Sequence, residues 1–432
     1  VHFPPPGGIF CFYNRYSSFA PLIRGHAFSI IKRDTMKTLA VLLFVFAMMG
    51  TVSAQNANLT DSCVESYDPS VDYFPEKATI EYAENLTIEY FNHYKRVIVE
   101  APYVGSAPVV YLLVQCGTPA PEDVEADAVF EIPAQTAVAM STTQLPHFAE
   151  LGLVDRLVGL DSFLYVNTPE VLERIDAGEM IEVGGGSSGT TINVELVLDA
   201  EPDIVLTYAY GDPQGDAHPA LMGAGVPTAL NGDWLENSPL GRAEWIKFTA
   251  AFFNKEGEAE TFFGEIAANY TELAELTAAI EEKPLILWNS YTSYGDAWFI
   301  AGAQSYSGQL MRDAGGVQVL GDEPQVLETS AGVPFSFEAV YEAGLDAPVW
   351  FPVAFAINTV DDLIAQDERY ADFAAVQNGG VYNNDARVNI NGGNDYFESA
   401  VLRPDVVLAD LISILHPELL PDHDLVYFRQ LS

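Results

Sequence analysis

Glu195 and Glu338 hold the same place in two copies of one sequence unit, 143 residues apart. The first copy runs Asn193-Val194-Glu195 to Glu201-Pro202-Asp203, and the second Ser336-Phe337-Glu338 to Ala343-Gly344-Leu345-Asp346. In each, a residue suited to capping a helix stands two positions before the glutamate, and an aspartate follows eight positions after it. Buried-strand runs come next, Ile204-Val205-Leu206 and Val349-Trp350-Phe351, so the unit reads as a short capped helix feeding a strand. One acidic residue per half, at one helical position, predicts a two-lobed protein that shows a matched pair of charges to a partner.

A second set of residues could hold a small molecule. Ligands of open α/β sheets sit beyond the carboxyl ends of strands, so the residues after each predicted strand are the candidates. They are Ser141, Thr142 and Thr143; Tyr208 and Tyr210; Trp234; then Asn289, Tyr291 and Tyr294, with Tyr306 after the short strand Trp298 to Ala301. Aromatic and hydroxyl groups dominate. Arg242 opens a predicted helix, where a cation is unfavourable unless an anion is near, so it meets an anionic ligand or pairs with Glu236 or Glu244.

Other chemistries find less support. Gly184-Gly185-Gly186-Ser187-Ser188-Gly189 fits the dinucleotide fingerprint, but the helix cap falls at Asn193, and no acidic residue closes a second strand at the expected distance. A flexible loop at the cleft rim is the better reading. His93, His147, His218, His416 and His423 form no metal-binding pair at helical spacing. His416 and His423, with Asp422 and Asp424, fall in a predicted solvated loop. No nucleophile and base pairing stands out, so the expectation is a binding protein without catalytic residues or a resident cofactor. An exported enzyme or surface module reusing the fold is the alternative class.

The elements that must position these groups alternate. Leu86 to Val99 and Val109 to Gln115 predict a small β layer. From Ala134 strands and helices alternate as in a mainly parallel sheet: Ala137 to Met140, Leu157 to Leu160, Met180 to Val183, Ile204 to Tyr208 and Thr228 to Leu230 are the strands. Arg242 to Glu282 reads as helix, broken near Asn254 and Gly257, with a second segment of about 26 residues spanning roughly 40 Å. A second α/β set follows from Leu285, closed by a helix from Val406 to Leu415. The expected fold is α/β, with two Rossmann-like lobes joined by a single long backbone helix and an extra N-terminal β layer. The expected division is 1–54, an upstream extension plus signal peptide; 55–240, the N-terminal lobe with leader and β layer at 55–133; 241–283, the helices; and 284–432, the C-terminal lobe.

Composition bounds the setting. The 432 residues are 49% apolar, enough for a large core, and carry a net charge of −42. Leu39 to Met49, after Met36-Lys37-Thr38 and before Val52-Ser53-Ala54, reads as a signal peptide cut before Gln55; a buried helix is the alternative. Residues 1–35 read as an over-extended start. The remaining chain has 60 acidic and 14 basic residues, a charge of −46, which repels nucleic acid and anionic lipid and matches a salt-adapted surface. Cys63 and Cys116 then make a pair in an exported chain, where a disulfide is favoured over two free thiols.

The chain resembles the periplasmic substrate-binding proteins of ABC importers for ferric-siderophores, cobalamin and haem, the helical-backbone (TroA-like) superfamily. The resemblance runs from about Ala134 to Leu431. It rests on Leu151-Gly152-Leu153-Val154-Asp155-Arg156-Leu157-Val158-Gly159, on Asn193-x-Glu195 with Glu201-Pro202-Asp203-Ile204-Val205-Leu206, on Asp313-Ala314-Gly315-Gly316, on Ser336-x-Glu338, and on Phe373-x-Ala375-Val376-x-Asn378-Gly379-x-Val381-Tyr382. It implies a ligand held between lobes and a permease whose arginine pockets receive Glu195 and Glu338. It also implies an iron complex or corrinoid as ligand, with haem the further alternative, and a monomer. No cysteine follows the hydrophobic run closely, so the lipid anchor of many relatives is not expected.

Overall fold

The computed structural model describes residues 57–184, 192–212, 214–292 and 295–432. Its first sheet is the N-terminal layer: β1 (Leu86–Tyr90), β2 (Tyr94–Val99) and β3 (Val109–Gln115) antiparallel, then β4 (Ala128–Ile132) parallel to β3. β4 escapes a sequence reading because Pro119 to Ala126 before it is turn-like and acidic. Its outer residues Val129 and Glu131 are exposed, leaving only a weak apolar run.

Five parallel strands follow: β5 (Ala137–Ala139), β6 (Leu157–Leu160), β7 (Ile181–Glu182), β8 (Ile204–Thr207) and β9 (Thr228–Leu230). They lie in the order β7-β6-β5-β8-β9. The chain therefore winds outward one way from β5 and then returns to wind the other way. β5 and β8 are wholly buried, and their apolar runs suit strands covered on both faces.

The C-terminal lobe repeats the plan more briefly. β10 (Leu285–Trp288) lies between β13 (Val317–Gln318) and β15 (Val349–Phe351), all parallel, and Val381 bridges to Trp350 on the far side. A separate antiparallel sheet joins β11 (Tyr291–Thr292), β12 (Ala297–Ile300) and β14 (Val333–Phe335).

The helical region between the lobes is three pieces, Pro239–Ala243, Ile246–Phe253 and Glu256–Thr277. Asn254 ends the middle piece in the left-handed conformation, φ 58°, near the predicted break. The long piece has 22 residues, about 33 Å at 1.5 Å per residue, a turn shorter than expected. It gives way beyond Thr277, before Pro284. Every residue of Ile246–Phe253 is buried, because the β layer covers one side. Phe248 and Phe252 meet Tyr111, and Phe252 also meets Phe130 edge-on at 5.2 Å.

Two buried carboxylates fasten the leader to this region. Glu244 accepts the backbone N–H groups of Glu81, Tyr82 and Ala83, the closest at 2.7 Å, and also Lys247 Nζ at 3.0 Å. Glu236 accepts those of Glu84 and Asn85, both at 2.9 Å, with the Trp245 indole at 3.0 Å. Lys95 of β2 and Glu256 of the long helix form a fully buried ion pair, completed by Asn254 and Asn58. Cys63 and Cys116 are disulfide-bonded, so the leader is also tied to the end of β3.

The lobes are joined by more than the helix. Glu398, 1% exposed, accepts from Asn167 N (2.8 Å), Thr168 N (2.7 Å), the Thr168 hydroxyl (2.5 Å) and the Asn167 amide (3.2 Å). Asn389 donates to the Leu164 and Val166 carbonyls. A segment of the C-terminal lobe, 389–398, is thus laced to the loop after β6.

Candidate functional site

The order β7-β6-β5-β8-β9 reverses direction between β5 and β8, and such a switch point leaves a crevice outside the strand ends. A cavity of about 450 Å³ lies there, lined from the ends of β5, β6, β8 and β9. Ser141 begins its floor: the hydroxyl accepts from Thr143 N at 3.3 Å and contacts the Thr143 hydroxyl at 2.9 Å, holding the turn Thr142–Gln144 in place. Asp161 and Ser162 follow β6, and Tyr208 and Tyr210 follow β8. Asp216 fixes the last of these by accepting from Tyr210 N (2.8 Å) and Gly211 N (2.9 Å). Gly211 has φ +82°, and a side chain there would strike the ring of Tyr103, so the turn after β2 reaches the rim.

Tyr208, Tyr210 and Trp234 make a continuous aromatic wall, with successive ring centroids 5.3 and 5.2 Å apart. Burial pushes the Tyr208 hydroxyl up to about 12, so it stays a neutral donor at ordinary pH. Burial also raises the carboxyls of Asp161 and Asp233; Arg242 opposes this at Asp233, while the charge of Glu182 adds to it at Asp161.

Among the described residues, four buried side-chain polar atoms of residues lining this cavity lack a hydrogen-bond partner: Gln144 Oε1, Asp233 Oδ2, Trp234 Nε1 and Arg242 Nε. Buried polar groups are otherwise almost always paired, so four such atoms at one cavity are a concentration. Acceptors and donors are both present.

Of the expected ligand residues, Thr142, Thr143, Tyr208, Tyr210, Trp234 and Arg242 meet at this cavity. Arg242 does so differently from expectation. It lies in the last turn of Pro239–Ala243, where the helix dipole favours a cation, and pairs with neither Glu236 nor Glu244, which bind the leader. It sits 5.0 Å from the centre of the Tyr306 ring instead, facing Asp233. Tyr306 is behind that wall, bonded to Tyr396. Tyr291 is elsewhere: its hydroxyl meets Asp296 and its ring packs on Phe337 at 5.6 Å, beside Glu338. It thus lies at the start of the helix Phe337–Gly344 and is not part of the cavity lining. Tyr294 and the glycines 185–189 lie outside the described residues.

The reading by residue type passed over Asp161, Asp216, Asp233 and Gln144, of which Asp161 directly follows β6. Applying the strand-end rule without preference for aromatics finds it, and Asp233 stands next to Trp234. The C-terminal histidines are not in a solvated loop: His416 is buried against the Gly315 carbonyl, and His423 contacts buried Asp410 at 2.6 Å. No cluster of three metal-ligating side chains occurs among the described residues.

Glu195 and Glu338 are both exposed in the first turn of their helices, Val194–Ala200 and Phe337–Gly344. Asn193 accepts from Leu196 N and Ser336 from Ala339 N, each at 3.2 Å. The copies differ in one respect. Glu338 has Arg369 3.5 Å away, itself held by Asp367 and stacked 3.6 Å over Phe337, whereas Glu195 has no ion pair among the described residues.

Two α/β lobes about a long helix, with a cavity at a switch point, make a bilobal, helix-spined α/β fold. A periplasmic binding protein family model matches residues 138–388, and the chain belongs to that family. An uncharacterized lipoprotein of Methanocaldococcus jannaschii is 24% identical over 401 residues, covering 87% of this chain and 91% of that one. A second relative from the same archaeon, 25% identical over 284 residues, covers 64% of this chain and 68% of its own length. It too is named a lipoprotein. Among solved structures, a periplasmic binding protein from Veillonella parvula superposes with a TM-score of 0.52 at 17% identity, over 77% of this chain and 95% of that one. A periplasmic heme binding protein from Pseudomonas aeruginosa gives 0.50 at 19% identity, over 69% and 98%. These likenesses speak to the fold. No described helix is long and apolar enough to cross a membrane.

Proposed function

We propose that this protein is an extracytoplasmic receptor that binds an iron complex in the cleft beside β5 and β8 and delivers it to an ABC permease through Glu195 and Glu338. Delivery of ligands to ABC permeases is the role of binding proteins of this family. The observation that carries the ligand site is the gathering of unpaired Gln144, Asp233, Trp234 and Arg242 atoms at one cavity.

The cavity lining offers three aspartates, Asp161, Asp216 and Asp233, against the single cation Arg242. The whole chain carries −42. A strongly anionic chelate would approach against that field, so the reading favours a neutral or positively charged complex. The aromatic wall supports a second ligand, a haem or corrinoid, whose flat or apolar parts would lie against Tyr208, Tyr210 and Trp234.

Thermal-shift titration of residues 55–432 with a ferric trihydroxamate, haemin and cyanocobalamin tests the ligand class. A ligand at one hundred times its Kd stabilises by about 2.7 kcal/mol. With unfolding entropy near 2.1 cal/mol/K per residue, that is a rise of roughly 3 °C. No rise with any of the three would reject this class. Glu195→Ala with Glu338→Ala is expected to abolish permease-dependent uptake with affinity unchanged; parallel loss of both would reject the docking role.

A further inference from the structure

The two copies of the repeated unit share a glutamate but not its surroundings. Beside Glu195, Leu196 and Leu198 are 38% and 46% exposed, so an anion stands next to apolar surface. The corresponding positions of the second copy hold Ala339 and Tyr341, and the ground beside Glu338 is taken by Arg369.

Arg369 is a fixed cation. Asp367 accepts from its backbone N–H at 3.0 Å, its Nε at 2.9 Å and its Nη2 at 2.6 Å. The guanidinium lies over the ring of Phe337, which is itself buried and stacked on Tyr341 and Tyr370. Holding a long side chain in one geometry costs rotamer entropy, and here the cost is met within the lobe before any partner arrives. Yet 45% of the side chain still faces solvent.

A guanidinium carries five N–H donors in a planar fork. Asp367 takes two of them and Glu338 stands against Nη1, so two remain without an acceptor among the described residues, the number a carboxylate accepts side by side. Charge points the same way. A partner cation that meets Glu338 also comes close to Arg369, and the like charges repel unless an anion faces Arg369. Asp367 does not serve, since both its oxygens are already engaged by Arg369.

We propose that Arg369 is a third docking residue that takes a carboxylate of the partner, and that the two ends of the receptor dock on unlike surfaces. Glu195 with its leucines fits a basic pocket with an apolar lip; Glu338 with Arg369 fits a pocket that pairs a cation with an acid. The proposal rests on the docking reading above and adds orientation to it, because only one way round satisfies both ends.

The test measures binding of residues 55–432 to the permease with its ATPase, purified in lipid nanodiscs, for wild type, Glu195→Ala, Glu338→Ala, Arg369→Ala and Arg369→Glu. Arg369→Ala is expected to weaken binding about tenfold and Arg369→Glu about a hundredfold, the scale of a lost and of a reversed charge contact. Circular dichroism is expected to stay that of the wild type, and so is ligand affinity, since Arg369 does not line the cavity. In a Glu338→Ala background, Arg369→Ala is expected to cost a further tenfold. No further loss there would make Arg369 a group that only positions Glu338, and would overturn the proposal. Binding by Arg369→Ala as tight as wild type or tighter, with Glu338→Ala weakened, would also overturn it and leave the docking reading intact. Full binding by both Glu195→Ala and Glu338→Ala would remove the docking reading and this proposal together.

Discussion

Glu398→Ala is the perturbation that most directly tests how the two lobes are held. The carboxylate takes four hydrogen bonds from Asn167 and Thr168, two of them backbone N–H groups with no other acceptor at hand. A buried donor left unpaired costs about 1–3 kcal/mol. Against this stands relief from burying a charge, since desolvation raises the Glu398 carboxyl above its ordinary range despite those four donors. The balance is a loss of about 3 kcal/mol, which for a unit of this size lowers the melting temperature by roughly 4 °C. Local opening at the junction should then expose the Asn167 and Thr168 amides about a hundredfold more often, at 1.4 kcal/mol per factor of ten. Thermal melts with amide hydrogen exchange measure both. A melting temperature within 1 °C of wild type, with those two amides as protected as before, would show that the junction is held elsewhere.

Two further outcomes can be measured on the same chain. His147 is buried against the Thr249 hydroxyl at 2.9 Å, and burial lowers its pKa from 6.5 to about 3. The unfolded chain therefore takes up a proton below pH 6.5 that the folded chain refuses, so stability is present above 6.5 and lost as pH falls toward 3. Between pH 7 and pH 5 the wild type should lose roughly 2 kcal/mol more than His147→Gln in urea titrations, at about 1.4 kcal/mol per pH unit; equal slopes would mean the ring is charged in the fold. The Cys63–Cys116 bond spans a sequence separation of 53. Chain entropy assigns it about 4 kcal/mol, so Cys63→Ser with Cys116→Ser should melt about 5 °C lower, and reductant should do the same to the wild type.

The fold was legible where periodicity and length are strong. The alternation from β5 to β9, the paired capped helices and the spine between lobes all follow from apolar runs and cap residues that the structure uses as expected. β4 was not legible, since its five residues are half exposed and become a strand only by pairing with β3. The site was half legible for a related reason. Tyr208, Tyr210 and Trp234 follow strands that carry them to the cavity, but Tyr291 sits on a two-residue strand paired with β12, and its ring packs on Phe337. Arg242 lines the same cavity, with neighbours other than Glu236 and Glu244. Its choice of Tyr306 and Asp233 depends on Glu236 and Glu244 being engaged by a leader some 150 residues earlier, a contact without sequence signature.

That engagement sets where the protein can be cut. The family match begins at residue 138, yet a chain trimmed to it would strip five backbone donors from Glu236 and Glu244. It would also bare the apolar side of Ile246–Phe253 that Tyr111 and Phe130 now cover. The segment before residue 138 is thus part of the lobe's interior, and a chain cut at the start of the family match is expected to fold less stably than one that keeps it.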